Sequence, residues 1–400
     1  MASGTYGFRG ERLKEAREAR GMTAASLAEQ LSITRSAVSQ FETNRTSPSP
    51  EIMHKISGVL NLPQRFFVRE PFRPGKKHFF FRCLSSATKA ARARIKRKHE
   101  WLQDLVGFLS HYVEFPRENL PDLDLPSNPL DLTENDIENA AAELRRYWGL
   151  GQAPISNVVW LLENNGVIVT RMVLGEQIEG SSEARTIKGD GGLDALSIWA
   201  ENVPYIILGA DKASAARSRF DAAHELGHLI LHRKACEWVS EGSDDLEKKN
   251  RFRTQEEQAH RFSGAFLLPK EQFKSEFYVA SLDALRTLKE RWRTSIGMMI
   301  KRAGDLALID IDEQKRLWVN LSRRGWRTHE PLDDKLVLEQ PRLLRGAILL
   351  LLEQGILSKA VVREAVPFAS DDIETLCNLG SGFLNDNPPE VKIIPFENLY

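Results

Sequence analysis

The stretch Arg219-Phe220-Asp221-Ala222-Ala223-His224-Glu225-Leu226-Gly227-His228-Leu229-Ile230-Leu231 decides how the rest of the chain is read. Its periodicity predicts a long helix over 213–232. Side chains at i and i+4 of a helix leave from one face, so His224 and His228 can bind a single metal ion. Glu225, next to the first histidine, can reach a water on that ion. Zinc lowers the pKa of such a water towards about 7, and a carboxylate can then complete its deprotonation at neutral pH. His224 and His228 are therefore candidate Zn2+ ligands and Glu225 the candidate catalytic base. Leu226, Leu229, Ile230 and Leu231 make the helix a buried one.

A catalytic zinc site needs a third protein ligand and one open position. A second helix, predicted over 254–268, supplies the ligand. Ala259, Phe262, Ala265 and Phe266 form its inner stripe, and Glu256 shares that stripe. Glu257 is turned about 100° away. His232, four residues after His228, would close the site as a fourth ligand. It also lies about 12 Å along the helix axis from His224 at 1.5 Å per residue, so it reads as a cap or core residue. Arg217 and Arg219 read as surface salt-bridge residues.

Working outward, helices are expected over 137–148 and 155–163, closed by Gly149 and by Asn164-Asn165-Gly166. Residues 167–174 and 196–208 are β-rich, the latter split by Asn202-Val203-Pro204. Helices follow at 271–278, 281–292 and 296–303. Two short strands are expected at 306–311 and 316–321. The mixture indicates an α+β domain over 131–322. Residues 118–139, acidic and dotted with proline, read as a linker that cannot sustain a helix. Residues 323–400 read as a helical C-terminal region packing on the preceding domain or on a second subunit.

The first 70 residues are all-α. Helices are expected over 9–20, ending at Gly21, over 23–31 with Thr23 as N-cap, over 34–42, and over 51–60. Between this domain and the acidic linker, residues 71–130 hold a basic helix, whose run 88–98 is either a phosphate-binding surface or a solvated face with Ala90, Ala93 and Trp101 turned inward.

Two resemblances follow from these motifs. Arg219–His228, then Glu256-x-x-Ala259-x-x-Phe262 and Leu267-Leu268-Pro269, resemble the ImmA/IrrE metallopeptidases over about residues 134–310. The resemblance implies a gluzincin-like domain with His224, His228 and Glu256 on zinc and Glu225 as base. It further implies that the substrate is an Xre-type repressor. One departure is His260, where the family commonly carries Asn or Asp. It reads as a partner orienting a ligand, an oxyanion stabiliser or a helix-surface histidine. Residues 9–68, above all Leu27–Glu42 with Asn44-Arg45 and Pro48, resemble the Xre-type helix-turn-helix fold. That resemblance implies duplex DNA as partner, with Arg35, Ser36, Ser39 and Gln40 facing bases and Arg45 and Thr46 facing phosphate. Ala24 departs from the glutamine usual in the family and removes a phosphate contact. A homodimer is expected, because a lone domain of this type binds weakly.

Composition agrees with this reading. The 400 residues carry 55 basic and 55 acidic side chains, so a nucleic-acid surface must be local. The apolar run Ala347–Leu352 is too short to cross a bilayer. Three scattered cysteines, Cys83, Cys236 and Cys377, form no framework, and no apolar leader is visible, so the cytoplasm is expected. Two rival functions share these motifs: a non-proteolytic transcription regulator that uses the peptidase fold as sensor or scaffold, and an antitoxin-like binding module.

Overall fold

A computed structural model describes residues 4–70, 89–126, 128–174, 194–200, 202–210, 214–233 and 245–385. The chain divides into two compact units: residues 1–72, 96–114 and 344–400 form one, and 73–95 with 115–343 form the other. Cys83 and Cys236 lie outside the described residues, and Cys377 is buried.

The first unit opens with helices α1 (Gly10–Ala19), α2 (Ala24–Gln30), α3 (Arg35–Glu42) and α4 (Pro50–Val59). Thr23, Thr34 and Ser49 cap the last three by accepting hydrogen bonds from Ser26, Ala37 and Ile52 amides. Leu13, Leu27, Val38 and Ile56 are fully buried between them. Helix α5 (Lys89–Leu109) contributes Trp101 to this unit, also fully buried. The basic run lies at its start, where Arg97 bridges Glu18 and Glu100 at 2.8 Å each and Lys98 pairs with Asp372. Ala90 is exposed rather than turned inward.

The C-terminal helices α14 (Leu343–Glu353), α15 (Lys359–Ala365) and α16 (Ser370–Leu376) correct one expectation. From residue 344 onward they belong to the unit of α1–α4, and not to the peptidase-like unit. Phe368 stacks on Trp101 with centroids 4.8 Å apart, and Phe66 meets the same indole edge-on at 5.8 Å. Asp372 accepts from Arg20 at 2.7 Å.

The second unit is built on a three-stranded sheet of order β1-β3-β2, from β1 (Ile168–Met172), β2 (Ala195–Ala200) and β3 (Val203–Gly209). β3 runs parallel to β1 and antiparallel to β2. Pro204 lies within β3, opposite Trp199, and not in a break between strands. Pairing with β1 starts at Tyr205, so the missing N–H of Pro204 costs no ladder bond. Helices α6 (Glu134–Tyr147), α7 (Val158–Asn164), α8 (Ala215–Leu231) and α9 (Asp245–Leu267) pack around the sheet. Helices α10 (Lys270–Glu276), α11 (Leu282–Trp292), α12 (Ile296–Asp305) and α13 (Ile311–Arg323) complete the unit.

Several sequence expectations change here. The strands expected at 306–311 and 316–321 are absent, and α13 covers most of that stretch. Asp310 and Glu313 form a capping box, and Leu317 and Leu321, one turn apart, are buried. The tertiary face overrides the β-formers Trp318 and Val319. The acidic stretch does sustain a helix from Glu134, because Thr133 and Asp136 cap it reciprocally. Before that point it is packed, not a bare linker. Leu120 is buried, and the Asn119 carbonyl accepts from Trp148 Nε1 at 2.8 Å. Helix α7 starts only at Val158, where Asn157 caps it. Arg219 is 3% exposed, donating to the Ile155 carbonyl and pairing with Glu339, and is no surface residue.

The non-helical residues 326–342 run over this unit as a strap. Lys289, fully buried, bonds Glu330 and Asp333 at 2.7 Å each. Glu330 also accepts from the Ile296 and Gly297 amides at the start of α12, and Asp333 accepts from Ser214, the N-cap of α8. Glu339 accepts from the Val158 and Val159 amides. Lys289→Ala leaves two buried carboxylates without their cation. It should destabilise this unit by about 3–5 kcal/mol, read as a lowered midpoint of its thermal transition; an unchanged midpoint would show the triad to be dispensable.

Candidate metal centre

Helix α8 is held at both ends. Ser214 accepts from the Arg217 amide at its start, and His232 is its C-cap residue. Along it, Gly227 lies against α9, where an added Cβ would come within 3.0 Å of Phe262 Cδ1 and 3.3 Å of Ala259 Cα. Both distances are tighter than a side-chain Cβ ordinarily keeps, so glycine suits this close approach. The close crossing carries Glu256, three residues before Ala259, over the histidine face of α8.

His224, His228 and Glu256 each offer a ligand atom, all within 4.8 Å of one another. His224 Nε2 stands 3.2 Å from Glu256 Oε2 and 3.1 Å from His228 Nε2, which is 3.3 Å from Glu256 Oε1.

A hydrogen-bond chain behind His228 sets its tautomer. Gln258 Nε2 donates to the Pro129 carbonyl at 2.5 Å, which turns its Oε1 towards His232 Nε2 at 2.9 Å. That oxygen can only accept, so His232 is protonated on Nε2. His232 is 2% exposed, and its burial above all pushes its pKa down to about 3, so it is neutral. Its Nδ1 is then an acceptor, and His228 Nδ1, 3.0 Å away, must donate to it. The lone pair of His228 therefore sits on Nε2, facing Glu256 Oε1, which is buried and receives no hydrogen bond. Lone pairs facing one another at this distance repel unless a cation lies between them. The donor set fits a divalent ion such as Zn2+, with two imidazole nitrogens and one carboxylate.

The electrostatics point the same way. Burial disfavours the charged form of His224, but the bond to Glu256 and the carboxylates of Glu225 and Asp221 outweigh it and raise its pKa. Burial would raise Glu256, yet the His224 imidazole beside its other oxygen helps hold its carboxyl well below the usual range. The pocket attracts positive charge.

Glu225, 3% exposed, accepts a 2.7 Å hydrogen bond at Oε2 from Ser197 Oγ in β2. Sequence reasoning missed Ser197, since nothing in a β-rich run marks one serine. The Gly209 amide donates to the Asp194 carbonyl, which sets the alternation of the β2–β3 ladder. Ala195, Ser197 and Trp199 then turn their backbone N–H and C=O to the outer edge of β2, which pairs with no strand among the described residues. His260 stands with its ring centroid 5.2 Å from that of His224 and 4.6 Å from that of Phe220. Burial and the neighbouring His224 lower its pKa to about 4, so it is neutral.

The residues assigned to DNA are all exposed in the first unit. Arg35, Ser36, Ser39 and Gln40 are exposed along α3, and Arg45 and Thr46 are exposed just beyond it. Asn44 takes a left-handed backbone there, φ +56°, and its side chain accepts from the Gly10 amide at 2.6 Å.

A helix-borne pair of imidazoles, a carboxylate from the next helix and a buried glutamate beside them define a metallopeptidase-like domain. The family model of the IrrE N-terminal-like domain matches residues 185–303, and that of the helix-turn-helix matches residues 13–64. The chain thus joins an Xre-like helix-turn-helix domain to an ImmA/IrrE-like peptidase domain and a helical C-terminal region. No curated protein matches it. Among the described residues, no helix is long and apolar enough to cross a membrane.

The chain from Pro129 through Gln258 and His232 to His228 makes a testable demand. His232→Leu should lower metal affinity by about 10–100-fold, measured by competition with a chelator. Wild-type affinity in that variant would show that the relay does not orient His228.

Proposed function

We propose that the protein is a zinc-dependent regulatory endopeptidase that binds duplex DNA through its first unit and cleaves an Xre-type repressor, in the cytoplasm. The observation that carries this reading is the convergence of His224, His228 and Glu256 beside Glu225. A pure scaffold has no use for a carboxylate held ready on the same helix.

Zinc held by these three residues would acidify a water and polarise the scissile carbonyl. The rest falls to the chain. Ser197 occupies Glu225 Oε2, leaving Oε1 to take the proton of the attacking water. As the C–O bond forms and the C–N bond breaks, Glu225 delivers that proton to the leaving amine. One water is consumed and the carboxylate is restored. The outer edge of β2 offers N–H and C=O groups against which an extended substrate can lie. His260, neutral and beside His224, is placed to donate to the developing oxyanion.

On the DNA side, the exposed face of α3 enters the major groove, Arg35 reads guanine, Gln40 reads adenine and Arg45 holds phosphate. Two copies reading two half-sites supply the affinity that one lacks.

Glu225→Gln keeps the shape and removes the base. Zinc should stay bound while cleavage of a repressor falls about a hundredfold or more, whereas His224→Ala should lose metal and cleavage together. Equal product from wild type and Glu225→Gln would rule out Glu225 as the base. Wild type that holds zinc and cleaves no repressor would favour the non-proteolytic regulator.

DNA binding by the full chain should weaken steeply with rising salt, because neutralised phosphates release counterions. Arg35→Ala should relax sequence preference, while Arg45→Ala should weaken all sequences alike. A folded chain with no affinity for duplex DNA at low salt would make the first unit a protein-docking domain.

A further inference from the structure

Residues 4–10 precede the helix-turn-helix match, which starts at residue 13. They are tied down at several points. The Thr5 amide and hydroxyl both donate to the Pro48 carbonyl, at 2.8 and 2.9 Å. Gly4 backs onto Ser47, where an added Cβ would come 2.7 Å from the Ser47 Cβ. Phe8 meets Phe41 of α3 edge-on at 6.4 Å. The Arg9 amide donates to the Phe67 carbonyl at 2.9 Å, and the Gly10 amide to Asn44.

Between these anchors the backbone turns. The Phe8 amide donates to the Thr5 carbonyl at 3.4 Å, and Gly7 takes φ +73°, the left-handed position of a type II turn. Tyr6 occupies the corner before it and is 99% exposed. Exposure of one aromatic residue is ordinary by itself. What singles out Tyr6 is that the residues on both sides of it are fixed while it is left outside the packing. A tyrosine has only two side-chain torsions to freeze on binding, and its far end is a hydrogen-bond donor.

The turn sits beside a segment already assigned. Ser47 and Pro48, which hold Gly4 and Thr5, directly follow Arg45 and Thr46, the exposed residues assigned to phosphate. Asn44, left-handed just ahead of them, is itself bonded to Gly10. Residues 4–10 thus line the chain as it leaves α3. In a complex of this kind the helix enters the groove, and contacts from flanking segments to the sugar-phosphate backbone fix its register. Tyr6 belongs with the flanking segment and not with α3.

We propose that Tyr6 is a DNA-backbone contact, its hydroxyl donating to a phosphate oxygen of the duplex beside the contacts of Arg45 and Thr46. The proposal rests on the DNA-binding reading of the first unit. Such a contact is blind to sequence, because every step of a duplex carries the same phosphate. It is also uncharged, so it neutralises no phosphate and releases no counterion. Its loss lowers affinity by the same factor at every salt concentration, whereas loss of Arg45 also flattens the salt dependence. The two kinds of phosphate contact are therefore separable by measurement.

The test titrates the full chain against two end-labelled duplexes of unrelated sequence, by fluorescence anisotropy over a series of salt concentrations. Tyr6→Phe, which removes one oxygen, should weaken binding to both by about three- to tenfold. Its plot of log affinity against log salt should be displaced in parallel, while Arg45→Ala should lower the slope by about one. Tyr278→Phe, at an exposed position of the second unit, is the control and should change nothing. The thermal midpoint of Tyr6→Phe should match the parent. Wild-type affinity in Tyr6→Phe, with the parent binding both duplexes, would overturn the contact and leave the DNA reading standing. A loss confined to one duplex would overturn it as base reading, and a lowered midpoint as a role in the fold. A parent chain that binds neither duplex at low salt would remove the DNA reading and the contact together.

Discussion

The crossing of α8 and α9 at Gly227 is the constraint on which the centre depends. There glycine faces the backbone of Ala259 and the ring of Phe262, closer than an added Cβ would ordinarily sit. At that crossing the carboxylate of Glu256 reaches both imidazoles. Phe262, from the same helix, closes over Gly227 and is fully buried. Packing and chemistry are therefore one requirement. A bulkier residue at 227 would press on Phe262 and Ala259, the residues that follow Glu256 on the same helix.

The metal helix is also anchored at both ends by polar groups that are out of water. At its start Ser214 bonds Asp333, which shares Lys289 with Glu330, and Glu330 in turn holds the amides of α12. At its end His232 bonds Gln258, which bonds the Pro129 carbonyl. Buried polar networks specify a single arrangement because each broken link leaves a desolvated group unpaired. The histidines are thereby fixed in rotation as well as in position, which suits a site that needs a defined lone-pair direction. The strap belongs to this anchoring although it forms no helix or strand.

What could be read from the sequence was what rests on local spacing. The i, i+4 histidines, the stripe that included Glu256 and the cap at Thr23 are short-range patterns, and the structure places those residues as the spacing implies. What escaped was decided at long range. Trp318 and Val319 favour a strand by composition, yet Leu317 and Leu321 pack as a helix. Arg219 looked like a surface cation, but Glu339, 120 residues later, takes it into the interior. Ser197 and Gln258 have no signature, because their roles are set by which strand and which helix face α8. The C-terminal helices gave no hint of joining α1–α4, since stacking of Phe368 on Trp101 links residues from remote parts of the chain.

That last pairing has a consequence for how the molecule comes apart. The first unit is assembled from three separate stretches, and most of the second lies between two of them. The backbone therefore passes between the units more than once. A protease that nicks one passage leaves the others as tethers, so a single cut changes the size of the fragments on a denaturing gel and not the particle in solution. Separation of the two units would take several cuts, or one cut together with loss of the grip of Phe368 and Asp372 on the helices they hold.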